Sequence, residues 1–362
     1  MKGNLWSLSK VSIFLFIFIV VSFFCSPLAR AAGYYNNINN SGDVVWVGWD
    51  GYDREIYLYS EGKVTQITDN SYDDCFPFIN DNGEIVWIGN GEVYYYSEGI
   101  TERITYNSYI EQAPHINNRS EIVWVGWDGS DNEVFYHFQG TTIQLTDNPY
   151  EEFNVRINDL GEIVWWGNDG LDWEVYYYYG GITTKITDNN YDDSTPSINN
   201  RGEIVWVGGG YGIYYYSGGT TTLITNTGSY KQNVLINNRG DIVWEENYGT
   251  GRQHMYLYDG NDIKQVSITD YNNNAPHIND SGDIVWRCND GNDYEICYYS
   301  EGYTKQISNN KYDDISCQIN NDGQIIWVGF DNGKDSEIYQ YNKGTRKITS
   351  NKTNDATNIC FQ

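Results

Sequence analysis

The sequence predicts an all-β fold, a β-propeller of eight four-stranded blades, and three observations predict it. First, a nine-residue motif of the form Ile-Asn-Asn-x-Gly-Glu-Ile-Val-Trp recurs with small edits eight times, beginning at Ile38, Ile79, Ile116, Ile157, Ile198, Ile236, Ile278 and Ile319. Its spacing of 37 to 42 residues is that of a repeat architecture. Second, every copy holds runs of β-branched and aromatic residues, and no run shows the 3.6-residue period of a helix. Third, both faces of the motif's strand are apolar, so each small sheet needs a neighbour on either side, which radial packing supplies.

The third copy, APHINNRSEIVWVGWDGSDNEVFYHFQGTTIQLTDN, shows the elements in order. A short extended piece, PHIN, comes first, and the runs EIVWVGW, EVFYHF and TTIQLT follow, separated by Asn-Arg, Asp-Gly and Gln-Gly turn signals. Four such strands form an antiparallel meander, in which Ile122 and Trp124 point to one face and Val123 and Val125 to the other. One tryptophan per copy, Trp46, Trp87, Trp124, Trp165, Trp206, Trp244, Trp286 and Trp327, is the expected wedge between blades. The motif's glycine, replaced only by Ser120, belongs in a turn that uses positive φ, and the neighbouring asparagines suit the same turn through local side-chain hydrogen bonds. The repeats start near residues 34, 75, 112, 153, 194, 232, 274 and 315, within one propeller domain over 32–362. Residues 356–362 align with the beginning of a ninth copy, which either completes the inner strand of the first blade or duplicates it.

Residues 1–31 read as a secretory signal peptide: Lys2 and Lys10 flank the start, 11–24 is almost wholly apolar, and Ala29-Arg30-Ala31 offers a cleavage site. That apolar run falls short of the roughly 20 residues of a membrane span, and no later segment approaches it, so the expectation is a secreted or periplasmic monomer that is not membrane-embedded. Phe23 and Phe24 before Cys25 do not suit a lipoprotein signal, which wants small residues there. The chain carries 49 acidic against 22 basic residues, a net charge of -27 with a pI near 4.3. Such a surface repels nucleic acid and anionic headgroups and favours cationic partners. Of the cysteines beyond the signal, Cys75, Cys288, Cys297, Cys317 and Cys360, the spacings fit no zinc site, and Cys288 with Cys297 is the disulfide candidate because one hairpin brings them together.

The order Pro114-His115-Ile116-Asn117, Ile122-Val123-Trp124, Glu133-Val134-Phe135, Leu145-Thr146-Asp147 resembles the TolB-type, WD40-like propeller repeats, and the resemblance covers essentially the whole chain after the signal. It implies the propeller fold. The family's Ser-Pro-Asp-Gly turn has become Asn-Asn-x-Gly, and the repeats follow the signal directly where TolB places an α/β domain, so TolB's envelope role does not carry over. Prolyl oligopeptidases carry similar propellers beside a hydrolase domain, but no Gly-x-Ser-x-Gly nucleophile turn occurs here.

A meander puts the turn between second and third strands on the same disc face as the blade-to-blade loop, and acidic residues gather there. Asp50, Asp53 and Glu55 recur as Asp128, Asp131 and Glu133, as Asp169, Asp172 and Glu174, and as Asp290, Asp293 and Glu295, with a looser version at Asp331, Asp335 and Glu337. The blade-to-blade loops add Asp69, Asp147, Asp188 and others. Calcium is the cofactor such oxygen clusters would take, though the spacing is not that of an EF-hand, and Asp-Gly is also a favoured hairpin turn. Just before the repeated isoleucine stand Asn37, Phe78, His115, Arg156, Ser197, Leu235, His277 and Gln318, positions that vary while their neighbours repeat and that line the central channel. Trp49, Trp127 and Trp173 lie near the acidic face, where sugar rings could stack.

From these residues the expected function is a non-catalytic binding module or scaffold that recognises a protein or other ligand through its acidic face and channel mouth. The alternatives are a lectin-like propeller with a glycan ligand and a hydrolase or lyase acting on a polysaccharide. The four histidines, His115, His137, His254 and His277, show no nucleophile or metal-ligand spacing, so the expectation is no enzyme.

Overall fold

The computed structural model describes residues 36–249, 252–331, 335–350 and 355. The stretch read from sequence as a signal peptide, 1–31, and the one that aligns with a ninth copy, 356–362, lie outside the described residues.

Eight four-stranded antiparallel sheets follow one another, each built from four consecutive strands. In the third blade these are Glu111–Ile116, Ile122–Trp127, Asn132–Phe138 and Thr141–Gln144, from the inside outward. No helix occurs among the described residues. The second strands are buried on both faces, as at Ile122, Val123, Trp124 and Val125, so their side chains form the cores between blades, one cluster for each neighbouring pair. All eight motif tryptophans are fully buried in those cores.

Seven of the tryptophans stack on an aromatic ring of the third strand, at 5.6 to 5.8 Å between centroids, as Trp46 does on Tyr57 and Trp124 on Phe135. In six of these seven blades that ring also covers a glycine two residues beyond the tryptophan, as a Cβ on Gly48 would lie 2.8 Å from Tyr57, while the sixth blade has Glu246 there. The seventh blade solves the same packing differently. Opposite Trp286 stands Cys297 in place of the aromatic residue, and the glycine position holds Cys288. The two are joined by a disulfide, with Cα atoms 5.8 Å apart, which is the pairing expected from the hairpin. Cys75 is also disulfide-bonded, and the Cys317 thiol is free and buried.

The motif's asparagines do more than shape a turn. Each first asparagine accepts the N–H of the residue four positions on, as Asn39 does from Asp43 at 2.8 Å. Its Nδ2 then donates to the backbone carbonyl of the equivalent asparagine in the next blade: Asn39 to Asn80, Asn80 to Asn117, Asn117 to Asn158, Asn158 to Asn199, Asn199 to Asn237, Asn237 to Asn279, and Asn279 to Asn320. Asn320 donates to Asn39 and closes the ring. All eight bonds measure 2.8 to 3.1 Å. One position later a second belt runs in parallel, in which each backbone N–H donates to the side-chain oxygen of the next blade, from Asn40 to Asp81 and onward to Asn321, which donates to Asn40.

Among the described residues each four-stranded sheet is built from one repeat, and the seam between the eighth and the first carries one addition. Asp355 bridges to Gly48 of the first blade, donates its N–H to the Ser336 carbonyl of the eighth, accepts the Ser336 hydroxyl at its own carbonyl, and accepts the Trp46 indole N–H at 3.3 Å. Asp74, Asp193 and Asn273, at the start of their inner strands, accept the indoles of Trp87, Trp206 and Trp286 in the same way. Asp355 thus fills for the first blade the place that its short inner strand, Asn36–Ile38, does not reach.

Candidate functional site

The inner strands wall the central channel, and their backbone is not regular. Seven of them carry a β-bulge whose residue is left-handed without being glycine: Phe76, Ala113, Asn154, Thr195, Asn233, Ala275 and Ser316, with φ between 42 and 56°. Such a conformation is uncommon for any side chain and costly for a β-branched one. Its recurrence at one position marks it as part of the repeat's design, and the sequence carries no turn signal there.

Beyond each bulge lies the variable position. Asn37, Phe78, His115, Arg156, Ser197, Leu235, His277 and Gln318 are all half-buried, at one position of the eight inner strands. Toward the asparagine belts the channel opens into a funnel of about 350 Å³, walled by the belt residues and reached from below by Asn37 and Phe78. This funnel is on the disc face opposite the acidic turns, since a strand's two ends lie on opposite faces.

Three channel residues of successive blades form one group. The Phe78 and His115 rings lie 4.5 Å apart. Arg156 Nη1 lies 2.6 Å from His115 Nε2 and donates to the Val155 carbonyl at 3.2 Å. An arginine only donates, so His115 Nε2 accepts and its proton is assigned to Nδ1. Burial among the strands lowers the Arg156 pKa to about 10. Burial, together with the Arg156 charge, holds His115 well below its ordinary value and His277 down to about 4. Both histidines are therefore neutral at pH 7. Among the described residues no carboxylate pairs with Arg156, although the chain's net charge is -27.

The acidic turns are built differently from an open charged face. The first aspartate of each caps its own turn: Asp128 Oδ1 accepts the N–H groups of Ser130 and Asp131, and Asp50, Asp169 and Asp290 do the same. Asp53, Asp131 and Asp172 are only 8%, 6% and 9% exposed. Burial and the neighbouring Glu55 raise Asp53 to about 6, and Asp131 is raised to about 6 by burial and Glu133. The glutamates Glu55, Glu133, Glu174 and Glu295 are fully buried and accept the N–H groups of Asn70, Asn148, Asn189 and Asn310, pinning the blade-to-blade loops.

The three tryptophans do not assemble into one platform. Trp49 and Trp127 stand at the rims of the first and third blades, Trp127 being 37% exposed, while Trp173 is packed with Phe153 and Trp166 of its own blade. Trp166 has no expectation attached to it from sequence, and it stands where five of the other blades carry core residues such as Val125 and the remaining two carry Glu245 and Arg287. Of the remaining histidines, His137 meets Thr142, and His254 Nδ1 lies near Gln265 and Ser267. The Ser267 hydroxyl is itself accepting from the Met255 N–H.

No protein-family model matches the chain, and no curated protein matches it in sequence. Solved structures do match its fold. Dipeptidyl peptidase 4 of Porphyromonas gingivalis superposes with a TM-score of 0.66 at 11% identity, covering 91% of this chain and 61% of that one. A puromycin hydrolase gives 0.58 at 12% identity, covering 84% and 60%. The β-propeller domain of the Trilobed protease from Pyrococcus furiosus, described as having an open velcro topology, gives 0.54 at 12%, covering 88% of this chain and 98% of that domain. The chain is an eight-bladed β-propeller. It spans about three fifths of dipeptidyl peptidase 4 and of the puromycin hydrolase, and at such identities the likeness is one of fold.

These neighbours correct the expected function. The expected non-catalytic binding module on an acidic face, with its lectin-like and polysaccharide-cleaving alternatives, is not what these structures point to: dipeptidyl peptidase 4 is a peptidase and the Trilobed protease domain is part of a protease.

Proposed function

We propose that this chain works with a peptidase, as the propeller that admits the end of an extended peptide through the asparagine-walled funnel toward Arg156. The observation that carries this reading is Arg156 itself. A guanidinium in a narrow channel, flanked by a neutral histidine and a backbone carbonyl, retains donors for a planar carboxylate, and a peptide's C-terminus is one. Phe78 beside His115 offers an apolar surface for the last side chain. The funnel's volume is in the range that takes a small ligand or a chain end. The likeness to peptidase propellers supports the choice of a peptide over other carboxylates. On the residues quoted above we also place the repeats with the TolB-type set and the chain outside the cytoplasm, and the Cys288–Cys297 disulfide supports the second point.

The test is calorimetric titration of short peptides, as free acids and as C-terminal amides, into the protein and into Arg156→Ala. The expected result is binding of the acids, at least tenfold weaker binding of the amides, and no difference between the two in Arg156→Ala. Equal binding of acid and amide by the unaltered protein would sink the reading.

A further inference from the structure

The repeat motif has a second variable position, directly after the two belt asparagines or their aspartate substitutes, and in all eight blades it is exposed at the rim of the funnel. Blades three, five and six place Arg119, Arg201 and Arg239 there, with Leu160 of the fourth blade among them. The other four blades place Ser41, Asn82, Ser281 and Asp322 there. At this position one half of the rim is therefore basic, in a chain whose net charge is -27, and the other half carries no base.

The geometry keeps these charges outward. The side chains of Arg119, Arg201 and Arg239 are 51%, 50% and 56% exposed. Each reaches over the boundary to the next blade: Arg119 donates to the Leu160 carbonyl at 2.8 Å and Arg239 to the Ser281 carbonyl at 2.6 Å, while a Cβ on Gly240 would stand 2.6 Å from Arg201 Nη2. Each also meets one acid of its own blade, Glu121 at 3.3 Å, Glu203 at 2.5 Å and Asp241 at 3.2 Å. Those three acids are buried and already accept the amides of Asn117, Asn199 and Asn237. An approaching chain therefore meets the guanidinium and not the acid beneath it, and with five N–H groups each guanidinium keeps donors for a further acceptor.

Arg156 belongs to the fourth blade, four residues before Leu160 and between the blades that carry Arg119 and Arg201. An extended peptide rises as the strands beside it do, at about 3.3 Å per residue, so a chain whose carboxyl end rests on Arg156 crosses the rim about three to five residues earlier. We propose that the rim makes this site selective for acidic peptides, through contact of Arg119, Arg201 and Arg239 with Asp or Glu side chains that precede the C-terminus by that interval. The inference rests on the reading of Arg156 as the carboxyl anchor and adds to it the class of peptide. The chain's overall charge repels such a peptide, so a preference for it has to come from a local group of bases.

The test titrates the full chain with free-acid peptides of one length and one final residue, carrying three glutamates, three glutamines or three lysines at the third to fifth residues before the C-terminus. At low ionic strength the glutamate peptide is expected to bind about fivefold tighter than the glutamine one, with the lysine peptide weakest and the gap closing as salt is added. Changing Arg119, Arg201 and Arg239 together to Ser, the residue that blades one and seven carry as Ser41 and Ser281, should abolish the ranking and leave the preference for acid over amide at Arg156 intact. Changing the same three to Lys should keep the ranking. Free-acid binding with no advantage for glutamate, or an advantage that survives the triple change to Ser, overturns the proposal and leaves the Arg156 reading standing. Equal binding of acid and amide overturns both. Should the triple change to Ser unfold the protein, the ranking of the unaltered chain and its closing with salt decide.

Discussion

Asn320 donates its side-chain amide to the backbone carbonyl of Asn39 at 2.9 Å, joining the last blade to the first where no peptide bond does. The same bond joins every other pair of neighbouring blades, but there the chain itself also makes the connection. Asn320→Ala is therefore expected to lower stability by about 1–3 kcal/mol, the cost of leaving buried polar groups unmade. The same change at Asn199 should cost less, because the backbone already holds blades five and six together. Urea denaturation of the two variants checks the order, and a larger loss from Asn199→Ala would show that the seam is not the weak point.

The disulfide of the seventh blade replaces a glycine–aromatic pair, and the replacement should be reversible. Reduction is expected to cost about 2–3 kcal/mol for a loop of this length. The double change Cys288→Gly with Cys297→Tyr restores the arrangement of Gly48 with Tyr57 and should recover most of that loss. Neither single change should do so, since tyrosine over Cys288 meets a side chain and glycine opposite Cys297 leaves a void. Melting temperatures of the three variants, with and without reductant, measure this.

Asp193 accepts the Trp206 indole N–H in a buried site, and burial raises its carboxyl to about 7. The unfolded chain ionises this group near 3.8, so above pH 7 the folded state must hold a charge it disfavours. Its contribution to stability therefore rises as pH falls from about 7 toward 4. Asp193→Asn should stabilise the protein at pH 8, on the order of 2 kcal/mol, and the gain should shrink at pH 5. Asn273 already fills this role under Trp286, so the fold tolerates the amide. Denaturation of the two proteins at pH 8 and pH 5 tests the sign.

The two channel histidines act in the opposite direction. His115 and His277 have lowered values in the folded state, so the unfolded chain takes up their protons first, and their contribution is lost as pH falls below about 6.5. His277→Gln should flatten that part of the acid limb. Following the imidazole resonances by NMR would show His277 titrating near 4, and a value near 6.5 would contradict the packing described.

Much of the fold is legible in the sequence because every repeat states it again. The Ile-Val-Trp strand with apolar residues on both faces requires neighbours, and the left-handed turn at Gly83, met even by Ser120, follows from the motif. The site was harder to read, for reasons of geometry. The asparagines look like turn residues, and their partners are backbone carbonyls of the next blade, which carry no side-chain signature. The bulges at Phe76 or Thr195 fall inside runs that read as plain strand. Asp53, Asp131 and Asp172 read as surface charge, because sequence gives their face but not the curl of the turn that buries them.

The central claim is that a peptide's carboxyl end reaches Arg156, and photo-crosslinking tests it most directly. A short peptide with a free C-terminus and a photoreactive final side chain would be irradiated with the protein, and the modified residue located by mass spectrometry. The account predicts labelling of Phe78, His115 or their inner strands, competed by unlabelled free-acid peptide and lost in Arg156→Ala. Labelling on the acidic turns or the outer strands, unchanged in Arg156→Ala, would contradict it.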